Sequence, residues 1–281
     1  MSKFNMPAII PVAGLKADFG MEWDASLVPV APNYTALEAT VYECLHAGCS
    51  SIWIVANDDV APLLRHRLGE RATDIDSIQR GTFAKFGQSH HVEVPIYYVP
   101  IHPKHRGKVD NYAWSVIYGA NVAYWIHSKF SRWARPTCYY ISFPLGMMDP
   151  KEVLENRSRL RKSAPFYFSY GGKTVKDGLP LSFVLDADEW RRAKRVITTN
   201  ASVWKAPLEG IPTEKLPAEE RLVSLKYDLV DVFKGGAGVT HEMKSFYNLT
   251  TWGEYGKFIS SELGKRTKRP NTNTMYRGRS K

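Results

Sequence analysis

The segment Ala8-Ile-Ile-Pro-Val-Ala-Gly14 is an apolar run that ends on a glycine close to the start of the sequence. Such a run predicts a buried strand that leads into a loop, here residues 14–26. A helical pattern over 35–46 and a second apolar run over 51–56 follow it at short intervals. Strand, helix and strand with short connections predict right-handed crossovers and a parallel sheet.

The same alternation continues along the chain. The patterns predict helices over 60–68, 111–130 and 151–162, and strands over 94–99 and 137–142. Beyond them, 166–170 and 181–185 are predicted to be antiparallel strands joined by a glycine turn, and 252–263 a final amphipathic helix. The predicted fold class is α/β: a Rossmann-like, mostly parallel sheet with flanking helices, plus a mixed antiparallel C-terminal part.

Composition limits the classes of protein to consider. The sequence has 281 residues and is 44% hydrophobic, enough for a sizeable core. No apolar run approaches the roughly 20 residues of a membrane span, and Met1–Met6 is too short and polar for a signal peptide. The three cysteines, Cys44, Cys49 and Cys138, form no CxxC pair, which argues against a zinc site or a disulfide framework. We expect a cytoplasmic protein with no membrane partner.

The charge is strongly positive and unevenly distributed. The formal net charge is +10, an excess that favours polyanionic partners such as nucleic acid. Residues 265–281 contain no acid and seven bases: Lys265, Arg266, Lys268, Arg269, Arg277, Arg279 and Lys281. We interpret this segment as a flexible basic tail, which either contacts nucleic acid or only aids solubility.

The opening segments resemble the sugar-1-phosphate nucleotidyltransferases, whose fold is shared with GT-A nucleotide-sugar glycosyltransferases. The resemblance rests on Pro11-Val-Ala-Gly-Leu-Lys16 after the first strand, Leu27-Val-Pro-Val30, His46-Ala-Gly48, Ile52-Trp-Ile-Val55, and the late segment Asn248-Leu-Thr-Thr-Trp-Gly-Glu-Tyr255. It implies one domain over 1–264, with a nucleotide-binding half at about 1–162 and an acceptor half at about 163–264. It also implies that Gly14, Leu15, Lys16 and Asn248 bind a nucleotide-sugar donor.

Several charged positions of that family are changed here. The family's loop arginine is replaced by Lys16, and the lysine expected near Ala25 is missing. The family's metal aspartate should fall near Ser142 or Phe143, and its late aspartate is Asn248. A pyrophosphorylase needs cations and a metal to stabilise a highly charged phosphorus transition state. The resemblance therefore implies the fold with its pyrophosphorylase chemistry altered or lost.

Two acids after a later strand offer a different centre. Asp186 and Asp188 form an Asp-x-Asp, which in GT-A enzymes holds Mg²⁺ or Mn²⁺ on the donor diphosphate because hard cations prefer oxygen ligands. We consider both as catalytic and metal-binding candidates. The alternative is that one of them caps the helix that follows.

A basic loop precedes the 111–130 helix. Lys104, Arg106 and Lys108 are candidates for gripping phosphates of a donor or of DNA, and Asp110 is a candidate general base. The alternative is a solvated loop with Asp110 or Asn111 as a helix cap. Lys265, Arg266, Lys268 and Arg269 are further candidate nucleic-acid contacts.

Two functions fit these patterns. The first is a glycosyltransferase that moves a sugar from a nucleotide sugar to a nucleic acid, for example to a hydroxymethylated base in DNA. It explains the changed pyrophosphorylase positions and the basic charge together. The alternative is a divergent sugar-1-phosphate nucleotidyltransferase, or an inactive homologue that still binds nucleotide sugars.

Overall fold

The structure, a computed structural model, describes residues 5–15, 17–74, 93–101, 111–131, 134–162, 164–199, 202–204, 222–224 and 228–270. Its strands are β1 (Pro7–Pro11), β2 (Pro29–Ala31), β3 (Tyr34–Thr35), β4 (Ser51–Ala56), β5 (Arg71–Thr73), β6 (Glu93–Pro100), β7 (Cys138–Ile141), β8 (Gly146–Met148), β9 (Phe166–Ser169), β10 (Phe183–Asp186), β11 (Ser202–Trp204), β12 (Leu222–Ser224), β13 (Val239–Glu242) and β14 (Phe246–Asn248).

The helices alternate with these strands. They are α1 (Ala36–Ala47), α2 (Ala61–Leu68), α3 (Tyr112–Phe130), α4 (Pro150–Lys162), α5 (Ala187–Thr199), α6 (Leu229–Phe233), α7 (Trp252–Ser260) and α8 (Glu262–Arg266). Two short 3-10 helices cover Ala25–Leu27 and Val175–Asp177. None of the helices in the described ranges is both long and apolar enough to cross a bilayer.

Eight of the described strands form one sheet in the order β13-β9-β10-β7-β1-β4-β6-β5. Strands β7, β1, β4 and β6 are mutually parallel, as the alternating pattern predicts. Strand β10 is antiparallel to both β7 and β9, and β13 is parallel to β9. The predicted α/β fold with a mixed C-terminal part is confirmed.

Residues of β1 alternate between the two faces of this sheet. Ala8 and Ile10 join a core with α1, α2 and α4, whereas Ile9 joins the core formed with α3, α5 and α6. Every residue of β1 is buried, because helices cover both faces, and this explains its continuous apolar run.

Helix α1 begins and ends where its sequence signals predict. Thr35 and Glu38 form a reciprocal capping box at its start, and Gly48 adopts a left-handed φ of 83° at its end. Glu38 is also buried against two guanidiniums, with Arg67 at 2.9 Å and Arg269 at 3.2 Å. The start of α1 is therefore tied to the C-terminal segment.

The predicted helix over 252–263 is two helices in the structure. The Ser261 side chain accepts a hydrogen bond from the Gly264 backbone at 3.0 Å and starts α8, so the chain turns at Ser261. Phe258 and Leu263 bury their side chains in a third core with Val28, Val30 and Leu145. This core lies beside the loop that follows β1 and supports it.

Candidate functional site

A cleft of about 660 Å³ lies directly after β1. Ligand sites of parallel α/β sheets occur at this carboxyl edge of the strands. The cleft is lined by Val12, Ala13, Gly14, Leu15, Ala17, Asp18, Phe19, Gly20, Met21, Trp23, Asp24, Ala25 and Asn57. Gly14 and Leu15, two of the residues that the resemblance assigns to nucleotide binding, belong to this lining, whereas Lys16 lies outside the described residues.

Gly14 lies in close contact with the backbone of Asn111. Its φ is +85°, and a Cβ placed on it would lie 2.6 Å from the Asn111 carbonyl carbon and 2.7 Å from the Asn111 Cα. The Ser115 hydroxyl donates a 2.8 Å hydrogen bond to the Ala13 carbonyl beside it. The loop after β1 is therefore packed onto the first turn of α3, and only glycine fits at position 14.

Asn111 caps α3 through its side chain. Its Oδ1 accepts a 2.8 Å hydrogen bond from the Trp114 backbone. Its Nδ2 is buried and has no hydrogen-bond partner among the described residues. The structure thus supports the interpretation of Asn111 as a helix cap. The other candidates of this segment lie outside the described residues: Lys104, Arg106, Lys108 and Asp110.

The outer wall of the cleft, residues 17–25, is attached to the segment before α7. The Asp18 backbone N–H donates to the Thr250 carbonyl at 2.7 Å. The Phe19 and Trp252 rings meet edge to face at 4.9 Å, and the Trp252 indole N–H donates to the Phe19 carbonyl at 3.0 Å. The wall is fixed by these contacts and by the side chain of Phe19, which is buried in the third core.

The electrostatics of the described lining are acidic. Asp18 and Asp24 line the cleft together with Ala25, near which the resemblance places the family's lysine, and the described lining contains no Lys or Arg. Burial raises the pKa of Tyr112, and the carboxylate of Asp24 raises it further, so this hydroxyl stays protonated. A phosphate in the described part of the cleft would therefore meet neutral donors, such as the Gly14 backbone N–H and the Asn57 side-chain amide.

No carboxylate takes the place of the family's metal aspartate. The Ser142 hydroxyl donates to Glu43 Oε1 at 2.8 Å, on the α1 side of the sheet. The Phe143 ring packs on Tyr112 with a centroid separation of 5.3 Å. Burial raises the pKa of Glu43, although Ser182, Tyr140 and Ser142 donate hydrogen bonds that oppose the increase. These residues do not fit a divalent cation at this position.

Asn248 lies near that edge without lining the cleft. It pairs with Gly146 across β14 and β8, just after the carboxyl end of β7. Its Oδ1 is buried without a hydrogen-bond partner among the described residues. A neutral amide oxygen does not replace the family's late aspartate as a charged ligand. The role of Asn248 in donor binding stays a prediction.

The structure does not bring Asp186 and Asp188 to the cleft. Asp186 pairs with Cys138, the first residue of β7, because β10 runs antiparallel to β7. It therefore lies at the opposite edge of the sheet from Gly14. Its Oδ1 accepts a 2.7 Å hydrogen bond from the Glu189 backbone, whereas Asp188 is exposed and ion-paired with Arg191. Asp186 therefore caps the helix that follows, which is the alternative given above. Neither acid is placed to hold a metal on a donor in the cleft.

Across the described residues, no three His, Cys, Asp or Glu side chains converge in a metal-binding arrangement. The expectation of Mg²⁺ or Mn²⁺ therefore has no ligand set in this part of the chain.

The predicted basic tail begins inside helix α8. Lys265 contacts Glu262 at 3.5 Å, and Arg266 Nε donates to the Glu262 carbonyl at 3.1 Å. Arg269 is paired with Glu38, and Lys268 is exposed between them. The described start of this segment is thus helical and is tied to α1 through Arg269, while residues 271–281, which make up most of the predicted flexible tail, lie outside the described residues.

Sequence reasoning missed Trp23 and Asn57 as lining residues. Asn57 directly follows β4, so the rule that ligand loops follow parallel strands could have identified it. Trp23 carried no periodic signal, and only the folded loop shows that this residue lines the cleft.

No protein-family model and no curated protein matches this sequence. The structure, however, resembles solved nucleotidyltransferases. It superimposes on a protein assigned as a glucose-1-phosphate thymidylyltransferase from Bacillus anthracis with a TM-score of 0.57 and 10% identity, covering 94% of this chain and 98% of that one. A UDP-glucose pyrophosphorylase from Acinetobacter baumanii gives a TM-score of 0.55 and 13% identity, covering 94% and 96%.

A UDP-glucose pyrophosphorylase solved with UDP-glucose gives a TM-score of 0.54 and 11% identity, covering 94% of this chain and 100% of that one. The chain therefore has a sugar-1-phosphate nucleotidyltransferase-like fold, as its opening segments predict. At these identities the likeness establishes the fold and leaves the activity to be argued from the site.

Proposed function

We propose that the protein binds a nucleotide sugar in the cleft after β1 and is a divergent sugar-1-phosphate nucleotidyltransferase. The observation that carries this proposal is the cleft itself, whose inner wall is the Gly14 loop pressed against Asn111. A glycine directly after a strand lets phosphate oxygens come close to the backbone. The N–H groups of Ala13 and Leu15 already donate to the carbonyls of Val55 and Val12, so the Gly14 N–H is the proposed backbone donor of this loop. The neighbours with this fold include an enzyme solved with UDP-glucose.

In the proposed reaction an oxygen of a sugar-1-phosphate attacks the α-phosphorus of a nucleoside triphosphate. The bond between the α-phosphorus and the bridging oxygen breaks, and pyrophosphate leaves. The Gly14 loop would hold the phosphates, and Lys16 is the proposed cation beside them. The Gly14–Asn111 contact orients this loop before ligand arrives, which lowers the entropy cost of binding.

A second candidate is an inactive homologue that retains nucleotide-sugar binding. It is favoured by Ala25 at the lysine position and by Ser142, whose hydroxyl is committed to Glu43. Both changes remove charge that the pyrophosphorylase reaction uses, without closing the cleft. The two candidates predict the same binding and differ in turnover.

The glycosyltransferase interpretation with a nucleic-acid acceptor is not carried forward. Lys265 and Arg269, two of its proposed contacts, are paired with Glu262 and Glu38 of this chain. The three neighbours are nucleotidyltransferases by name, which supports the alternative interpretation of the sequence.

The test has two readouts on the same protein. Thermal unfolding is measured with UDP-glucose and dTDP-glucose, because a ligand that binds the folded state raises its apparent stability by mass action. Pyrophosphate release is then measured with UTP or dTTP and glucose-1-phosphate. Stabilisation with release supports the nucleotidyltransferase, and stabilisation without release supports the inactive homologue. No stabilisation by either nucleotide sugar contradicts both candidates.

A further inference from the structure

Trp23 is an exposed tryptophan in the lining of the cleft. Its relative exposure is 58%, although tryptophan is among the more buried residue types on average. Most of the other lining side chains are small or aliphatic, including Val12, Leu15 and Met21. The cleft thus presents one large aromatic surface that nothing in the described structure covers.

The indole is carried by a fixed segment. On one side, Phe19 packs on Trp252, and the Trp252 indole N–H donates to the Phe19 carbonyl. On the other side, Asp24 caps the 3-10 helix that follows, with its Oδ1 accepting from the Ser26 backbone at 2.9 Å. Because both flanks are held, the backbone that carries the ring loses little freedom on binding.

We propose that Trp23 stacks on a ring of the bound nucleotide sugar, either its base or its hexose. This inference rests on the proposed function of the cleft. The stacking surface supplies binding energy at a site where Ala25 replaces a phosphate-binding lysine and the described lining contains no Lys or Arg. Trp23 is thereby assigned as a specificity residue that favours ring-containing ligands over free phosphate.

Three substitutions separate stacking from simple wall formation. Trp23→Phe keeps a π-face, Trp23→Leu keeps an apolar wall without one, and Trp23→Ala removes both. The matched control is Trp125→Ala, because Trp125 is 56% exposed on α3 and does not line the cleft. Titration calorimetry with UDP-glucose and dTDP-glucose measures Kd for each variant.

Stacking of a base on an aromatic side chain accounts for about 5-fold to about 140-fold in affinity. We expect Trp23→Ala and Trp23→Leu to raise Kd within that range, Trp23→Phe to raise it less, and Trp125→Ala to leave it unchanged. An unchanged Kd in Trp23→Ala, or wild-type affinity in Trp23→Leu, would overturn the proposal. Thermal unfolding without ligand verifies that each variant is folded.

Separate ligands identify the stacked ring. UMP carries the base without the hexose, and glucose-1-phosphate carries the hexose without the base. A loss confined to UMP and UDP-glucose supports base stacking, and a loss confined to glucose-1-phosphate and UDP-glucose supports hexose stacking. If wild-type protein binds neither nucleotide sugar, the proposed function fails; if it binds and Trp23→Ala binds equally well, only the role of Trp23 fails.

Discussion

Replacing Gly14 by alanine tests the wall of the cleft most directly. Gly14 has a φ of +85°, and its added Cβ would lie 2.6 Å from the Asn111 carbonyl carbon. Gly20 provides the matched control, because it also lines the cleft and has a positive φ of +59°, but an added Cβ would meet nothing within 4 Å. The two substitutions share the backbone strain and differ in the clash.

The expected magnitudes follow from these contacts. A left-handed conformation costs alanine about 1–2 kcal/mol, partly offset by about 0.4–1 kcal/mol from the stiffer unfolded chain. Gly20→Ala should therefore destabilise by about 1 kcal/mol or less. Gly14→Ala adds an overpacking cost of about 1–3 kcal/mol, because the Asn111 backbone has to move. A difference of about 2 kcal/mol corresponds to about 4–8 °C in Tm for a domain approaching this size.

The assay is urea unfolding of both variants, followed by a nucleotide-sugar titration. We expect Gly14→Ala to be the less stable variant and to bind more weakly, since a displaced Asn111 also displaces the loop. Equal stability of the two variants would show that Gly14 and Asn111 are not in close contact. Wild-type affinity in Gly14→Ala would show that this loop is not part of the ligand site.

Three further predictions concern named side chains. Asp186→Ala should destabilise the protein by about 1 kcal/mol in urea unfolding because it removes a helix cap, while Asp188→Ala should leave the midpoint unchanged; equal effects would contradict the cap. Burial raises the pKa of Glu43, so the stability linked to its protonated form is present below about pH 4 and is lost as pH rises through the folded value. Glu43→Gln should therefore gain stability relative to wild type as pH rises, and parallel pH profiles would refute this. Arg269→Ala should lower the free energy of unfolding by about 0.5–1 kcal/mol. Glu38→Ala should lower it more, because it also removes a capping box and leaves two arginines without their carboxylate. The reverse order in thermal unfolding would contradict the Arg269–Glu38 pair.

The first half of the sheet could be predicted because its signals are local. The apolar run of β1, the Thr35 cap and the glycine after α1 each act within a few residues of chain. Parallel order then follows from the short connections and the handedness of crossovers. The structure places both ends of α1 within one residue of the predicted 35–46, and it reproduces the predicted bounds of β4.

The position of Asp186 could not be predicted, although its strand was. The apolar pattern of β10 gives the strand and does not give its direction in the sheet. Because β10 runs antiparallel to β7, its carboxyl end reaches the edge opposite Gly14. The direction of a single strand therefore separates a helix cap from a metal ligand.

The contact between Gly14 and Asn111 could not be predicted from local sequence patterns either. The neighbouring hydrogen bond from Ser115 to Ala13 joins residues 102 positions apart. Such contacts depend on how α3 packs against the sheet, and the sequence pattern of neither segment predicts that packing. The resemblance identified the loop, and the fold alone shows what holds it.

In the proposed phosphate site, the glycine backbone is retained, whereas the charged side chains are changed. The backbone half, Gly14 and its loop, is held by contacts that require glycine. The charged half is changed in the described residues, with Ala25 lining the cleft and Ser142 turned toward Glu43. Backbone N–H groups bind phosphate oxygens in the ground state, whereas added cations act most on the charge that develops in the transition state. A chain with this combination should therefore lose turnover before it loses ligand affinity, and the exposed ring of Trp23 offsets part of the affinity that the missing lysine would supply.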